Sequence, residues 1–284
     1  MIEFNAKNSV SPFDLAKNSS IGVGGYAEIA YAPQTQDELV QVVQALKNQG
    51  KRYYVVGNMS NVLPSDGKSK RVFILTKNLN AIDGNYFQVG VTAGQFLQYC
   101  KGKNLSGGEF LSGIPCTIGG ALYMNAGVAG AYIGEIVESV RVLKNGEICT
   151  LKKEDCAYAY KTSVFMDTET VILGATLRLQ KADKIAIEEK LTYYKQRRKH
   201  LPKGKSMGCV FKNPENFVAG KLIEGAGLKG LRVGGAYISE SHANFIINDA
   251  CATSAHVRSL IEIMKNAVFA QYKIRLQEEI NYLE

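Results

Sequence analysis

Clustered glycine is what most limits how this chain can fold. It has 28 glycines in 284 residues, and four loops carry most of the signal. They are Ile21-Gly22-Val23-Gly24-Gly25, Gly57-Asn58-Met59-Ser60-Asn61, Ser112-Gly113-Ile114-Pro115-Cys116-Thr117-Ile118-Gly119-Gly120 and Asn125-Ala126-Gly127. Without a Cβ, glycine lets backbone N–H groups come close to phosphate oxygens. Taken singly, each loop reads as a turn. Several on one half of a chain suit a pyrophosphate-bearing cofactor. No G-x-x-x-x-G-K-[ST] occurs, so there is no P-loop. Gly22-Val23-Gly24 starts like a dinucleotide fingerprint, but no strand precedes it and residue 27 is Ala with no helix opening there. A dinucleotide held here is therefore not held by a Rossmann unit.

Between the loops the periodicity gives short elements. Residues 35–48 predict a helix: Thr35 and Glu38 have capping-box spacing, Leu39, Val42, Val43 and Leu46 share a face, and Gly50 stops it. Strands are expected at 53–56 and 72–75, and a second helix at 92–101. Residues 137–143 and 148–151 read as a hairpin around Asn145-Gly146, with a further strand at 170–179. After a charged, glycine-free helical stretch at 184–200 come a loop at 203–208, a short helix at 219–225 and a strand at 243–248. A long amphipathic helix at 253–272 and a strand-like segment at 274–283 close the chain. Short strands and helices without regular βαβ alternation indicate an α+β fold.

Composition narrows the function classes. With 46% hydrophobic and 21% charged residues the chain is globular rather than disordered. Its net charge of +8 admits anionic partners of several kinds and chooses none. No run approaches the roughly 18 apolar residues of a membrane helix, and MIEFNAKNSV lacks a signal pattern. Six scattered cysteines without a C-x-x-C pair, and three histidines, make a zinc site improbable and suggest reduced thiols in a cytoplasm. The densest basic run, Lys195-Gln196-Arg197-Arg198-Lys199-His200, reads as a solvated helix end, and no RNA-binding aromatic signature accompanies it. The expected partners are small molecules, with no metal, nucleic acid or membrane, on a monomer or weak oligomer in the cytoplasm.

Taken in order, the motifs are specific. They are Gly57-x-x-Ser60-Asn61; Gly113-Ile114-Pro115-x-Thr117-x-Gly119-Gly120-Ala121-x-x-Met124-Asn125-Ala126-Gly127; Gly208-x-Val210-Phe211-Lys212-Asn213-Pro214; Gly227-Leu228-x-Gly230; and His242-Ala243-Asn244-Phe245. This series resembles the UDP-N-acetylenolpyruvoylglucosamine reductase family over residues 18–282. The resemblance implies a vanillyl-alcohol-oxidase-type FAD-binding region followed by a smaller α+β substrate domain. The division expected is 1–182 for FAD (two subdomains, boundary near 75), 183–272 for substrate, and a strand at 273–284 carrying Glu279 into the active site. Only four residues separate Pro214 from Ala219, which resembles the family's shorter form without a substrate-covering insertion. The implied cofactor is non-covalent FAD, with NADPH as co-substrate and UDP-N-acetylglucosamine enolpyruvate as substrate.

The resemblance also implies site residues. For FAD they are Gly57, Asn58, Met59, Ser60, Asn61, Gly113, Ile114, Pro115, Cys116, Thr117, Gly119, Gly120, Asn125, Ala126 and Gly127. Asn58 and Met59 stand where the family usually has glycines, and Cys116 replaces another. Tyr160, Asn213 and Lys229 are implied for substrate, with Lys203, Lys205 and Lys212 as further candidates for the diphosphate. Lys161, Cys209 and Glu279 are implied for catalysis. Lys161 replaces an arginine that contacts the enolpyruvyl carboxylate, keeping the charge and losing the planar fork. Cys209 replaces the serine proton donor, and a thiol, with an ordinary pKa near ~8.5, is the stronger acid. Glu279 matches a C-terminal glutamate acting as an acid, a role that requires its carboxyl to be protonated. The plainer alternatives are a surface Lys161, a packing Cys209 and a flavin protein without reductase activity. A covalent flavin oxidase is another, but no histidine occurs before residue 200, which leaves only a cysteinyl link through Cys116 to test.

Overall fold

The computed structural model describes residues 8–284. They form two compact units that do not follow chain order: 8–10, 30–58 and 73–199 make the first, and 11–29, 59–72 and 200–284 the second. Two front segments thus fold with the C-terminal third, and the chain passes between units at Asn58–Met59. The division nearest the expected 182/183 boundary falls at 199/200, because the helix Lys184–Arg197 packs on the short 3-10 turn Glu109–Leu111 of the first unit.

The first unit holds a five-stranded antiparallel sheet in the order Glu147–Lys152, Val137–Lys144, Val171–Leu177, Tyr86–Gln88, Ile82–Asp83. Asn145 and Gly146 both take positive φ (53° and 86°), the type I′ geometry that matches strand twist, and pair Lys144 with Glu147. A four-stranded sheet contains Ala30–Tyr31, Val72–Leu75 and Tyr53–Val56. The helix Gln36–Asn48 starts where Thr35 accepts from the Glu38 N–H and buries Leu39, Val42, Val43, Ala45 and Leu46. In the helix Ala93–Gly102, Thr92 and Gln95 complete a reciprocal capping box.

The second unit is built on the helix Ser254–Tyr272, which buries Val257, Leu260, Ile261, Met264 and Val268. It packs on the antiparallel strands Arg232–Val233 and Ala236–Ile238; Ile246–Asn248 completes that sheet. Ile21, Val23 and Leu63 from the front segments are fully buried in the same core as Met264, Val210 and Phe211. Each such side chain contributes about 1.5–3 kcal/mol of transfer free energy, which explains why 11–29 and 59–72 fold here.

Two expected strands are shorter than their sequence runs. The last segment is regular only at Asn281–Leu283, in parallel pairing with Val62–Pro64, so Glu279 lies before a strand rather than within one. Residues 274–280 follow a helix end capped by Lys273 in the left-handed region (φ 60°), and pair through a single bridge, Phe211 with Glu278. The strand expected at 243–248 is regular only at Ile246–Asn248, because the Asn244 side chain is used to bind Phe211.

Candidate functional site

In the first unit the central glycine motif forms a loop running into the helix Ile118–Met124. Thr117 caps it, its side chain accepting from the Gly120 N–H at 3.2 Å. The glycines divide by role. A Cβ on Gly57 would lie 2.4 Å from Thr117 Oγ1, and one on Gly119 would lie 2.2 Å from Val89, so these two permit close packing. One on Gly127 would lie 2.1 Å from the Ala131 carbonyl. Gly113 and Gly120 are exposed, and a Cβ on Gly120 would meet nothing closer than 3.6 Å. That exposed backbone, flanked by exposed Pro115 and half-buried Ile114, fits the approach of an anionic cofactor.

The two departures at 58 and 59 are accommodated. Asn58 donates to the Pro115 carbonyl at 3.3 Å. Met59, the first residue of its segment of the second unit, is buried and takes φ 48°, the conformation a glycine would adopt freely; its carbonyl accepts from the Ser20 N–H of the same unit. Ser60 is half-buried. Cys116 is buried, and burial pushes its thiol up to about 12, with Arg198 opposing weakly. Such a thiol stays protonated and is a poor nucleophile.

Asn125 is buried, itself left-handed (φ 47°), and spends its side chain on backbone. It donates to the Ala159 carbonyl at 2.8 Å and accepts from Gly134 N–H at 2.9 Å. Ala126 N–H bonds the Ala121 carbonyl. Ala159 is the first residue of a tight turn closed by reciprocal bonds with Thr162, which presents Tyr160 and Lys161 at its tip. Lys161 has φ 56°, a strained setting for a side chain. Tyr160 is exposed and meets Tyr132 edge-on at 6.4 Å. A cavity of about 460 Å³, lined among others by Glu109, Glu135 and Tyr194, lies in the same unit and includes none of these residues.

In the second unit Gly208 takes φ 80° and turns the chain into residues 209–212. This segment is held on two sides. Cys209 bridges Phe245, and Val210 N–H donates to the Asn244 carbonyl. The Asn244 side chain, 2% exposed, accepts from Phe211 N–H at 3.0 Å and donates to the Phe211 carbonyl at 2.8 Å, standing in for a neighbouring strand. On the other side Lys212 N–H donates to Gln277 and Glu279 N–H donates to the Val210 carbonyl at 2.7 Å. This antiparallel register sets Glu279 opposite Val210, one residue along the chain from Cys209; Glu279 and Cys209 are both half-buried. The adjacent Glu278 is paired with Lys265 at 3.1 Å. Asn61 donates from its side-chain amide to the Glu279 carbonyl at 2.9 Å.

Asn213 is exposed, and its side chain caps the helix Ala219–Gly225 by accepting from Ala219 N–H at 3.0 Å. Lys229 is ion-paired with Glu224. His242 accepts on Nδ1 from Asn244 N–H at 3.3 Å and stacks on His200 at 6.3 Å; burial, then His200, pull its pKa below the usual value. Asn244 carries no site role in the sequence reading; its only signal is its place in His242-Ala243-Asn244-Phe245, since a side chain replacing a strand leaves no periodicity.

Residues 199–283 match the C-terminal domain of UDP-N-acetylenolpyruvoylglucosamine reductase, and residues 27–152 match an FAD binding domain. A protein of Clostridioides difficile (strain 630) named UDP-N-acetylenolpyruvoylglucosamine reductase is 36% identical over 277 residues, covering 95% of this chain and 91% of its own. The chain belongs to the UDP-N-acetylenolpyruvoylglucosamine reductase family. A reductase of that name from Geobacter metallireducens is 37% identical over 273 residues, covering 94% and 91%. The crystal structure of the reductase from Thermus caldophilus superposes with a TM-score of 0.86 at 31% identity, covering 97% of this chain and 98% of that one. The α+β class with an FAD-binding region follows, as do FAD as cofactor and NADPH as reductant. Among the described residues no helix is long and apolar enough to cross a membrane.

Proposed function

We propose that Lys161, Cys209 and Glu279 divide the chemistry by which this reductase converts the enolpyruvyl ether of UDP-N-acetylglucosamine enolpyruvate to UDP-N-acetylmuramate, a peptidoglycan precursor. The loop of residues 113–120 would hold FAD, which when bound would supply the hydride transfer from NADPH to the methylene carbon of the enolpyruvyl group. The protein must do the rest. Negative charge develops at the neighbouring carbon and spreads into the carboxylate, so a cation is needed there and a proton at the carbon. The Lys161 ammonium neutralises the carboxylate. Glu279 is assigned as the acid that serves the same group. The Cys209 thiol gives its proton to the carbanionic carbon and recovers one from solvent. One NADPH and one proton are consumed per ether reduced.

The observation that supports this reading is the short ladder joining 210–212 to 277–279, which brings together the segments that carry Cys209 and Glu279 from positions 70 residues apart. Asn213 and Lys229 are assigned to the nucleotide diphosphate and Tyr160 to the substrate, with Lys229 exchanging Glu224 for phosphate. Lys203, Lys205 and Lys212 supply supporting positive charge. FAD is held non-covalently, since the Cys116 thiol stays protonated. The reading assigns the enzyme to cell-wall synthesis, with roles in cell shape and division, and we take it to act in the cytoplasm as a monomer or weak oligomer. The test is NADPH oxidation followed at 340 nm (roughly the reduced nicotinamide band) with and without the enolpyruvyl UDP-sugar. Oxidation that depends on that sugar is expected, with yellow colour leaving an acid precipitate; sugar-independent oxidation, or colour held in the pellet, overturns the reading.

A further inference from the structure

Asn61 lies in the Gly57-x-x-Ser60-Asn61 motif, where a role toward the cofactor is expected. Its side-chain amide binds protein. The Nδ2 amide donates to the Glu279 carbonyl at 2.9 Å, across 218 residues of sequence, and the Asn61 carbonyl accepts from Asn281 N–H at 3.0 Å. Two residues further on, Leu63 pairs with Tyr282 in the parallel ladder. Glu279 therefore has its backbone fixed at both ends: N–H on Val210 at 2.7 Å, carbonyl on Asn61. Those anchors matter because residues 274–280 make no regular strand and pair with 210–212 through a single bridge.

We propose that Asn61 is a positioning residue for Glu279, setting where that carboxyl meets the substrate rather than holding FAD. The proposal rests on the assignment of Glu279 as an acid in the reduction. An Asn side chain suits the task. Its amide donates to a carbonyl on one side while its own backbone continues the ladder on the other, so loop and acid move as one piece. A catalytic group displaced by about 1 Å costs roughly 100-fold in rate, so the effect of removing this bond falls on the substrate-driven step alone.

The experiment measures both half-reactions in Asn61→Ala and in the near-isosteric Asn61→Asp, which keeps the volume and loses the donor. In stopped flow, bleaching of the flavin by NADPH is expected at the wild-type rate. Restoration of colour by the enolpyruvyl UDP-sugar is expected to slow by about 10- to 100-fold. FAD affinity, from titration of apoprotein by flavin fluorescence, is expected to stay within about twofold. In a Glu279→Gln background, Asn61→Ala is expected to add no further slowing, the non-additivity of two residues acting as one. A tenfold loss of FAD affinity, or equal slowing in both backgrounds, overturns the positioning role while leaving the reaction intact. Wild-type protein that never couples NADPH oxidation to the sugar overturns the reaction assignment and this role with it.

Discussion

Removing the Asn244 side chain tests whether one buried amide holds the ladder that follows Cys209. Asn244→Ala leaves the N–H and carbonyl of Phe211 without partners, and Phe211 is 1% exposed, so water does not replace them freely. Each orphaned buried group costs about 1–3 kcal/mol, so the loss comes to about 2–6 kcal/mol and centres on about 4. For a chain of this size 1 kcal/mol corresponds to about 2–4 °C in Tm, giving a fall of about 8–16 °C. Asn244→Asp does not rescue: it keeps an acceptor for Phe211 N–H but faces the Phe211 carbonyl with a carboxylate oxygen in a buried site. Urea and thermal unfolding followed by far-UV circular dichroism read the loss. Because Cys209 lies two residues before Phe211, whatever protein folds should also turn over substrate more slowly with NADPH-driven flavin bleaching unaffected. A stability change under about 0.5 kcal/mol, the level of an ordinary surface substitution, would refute the argument.

Other outcomes follow from individual residues. Lys161 sits at φ 56°, so Lys161→Gly should leave unfolding free energy unchanged or raise it by about 1 kcal/mol while raising KM for the sugar; destabilisation beyond that would show that the turn is not strained. His242 has a folded pKa below its usual value near 6.5, through burial and then His200, with Lys229 lowering and Glu224 raising it further. The unfolded chain therefore binds the extra proton first as pH falls through 6.5, and stability should decline below that pH and not above it. His242→Gln should flatten the decline in a series of urea melts; an unchanged slope would place its origin elsewhere.

Local structure was legible where a local rule writes it. The Thr35 cap, the Thr92–Gln95 box and the Asn145-Gly146 turn each act within four residues, and each is in place. What depends on distant partners left no such trace. Nothing in the pattern of 11–29 or 59–72 says that Ile21, Val23 and Leu63 join a core made by residues after 200. The strand-like run at 274–283 alternates well enough, but only Asn281–Leu283 is a regular strand, and 277–279 pairs with 210–212 through one bridge. The site divides the same way. The motifs point to Cys209, Lys161 and Glu279, whereas the work of Asn61, Asn125 and Asn244 is visible only in three dimensions. All three direct their amides to backbone carbonyls from far along the chain: Glu279, Ala159 and Phe211. An asparagine in a motif reads alike whether it touches a ligand or braces the loop that does.

The central claim is that Cys209 delivers the proton. Rapid mixing of Cys209→Ala with NADPH, then with the enolpyruvyl UDP-sugar, tests it directly. Flavin absorbance should bleach as in wild type and then fail to return, while Cys209→Ser should restore colour at a substantial fraction of the wild-type rate, since a hydroxyl is a weaker acid held in the same place. Full recovery of absorbance in the alanine variant would contradict the account.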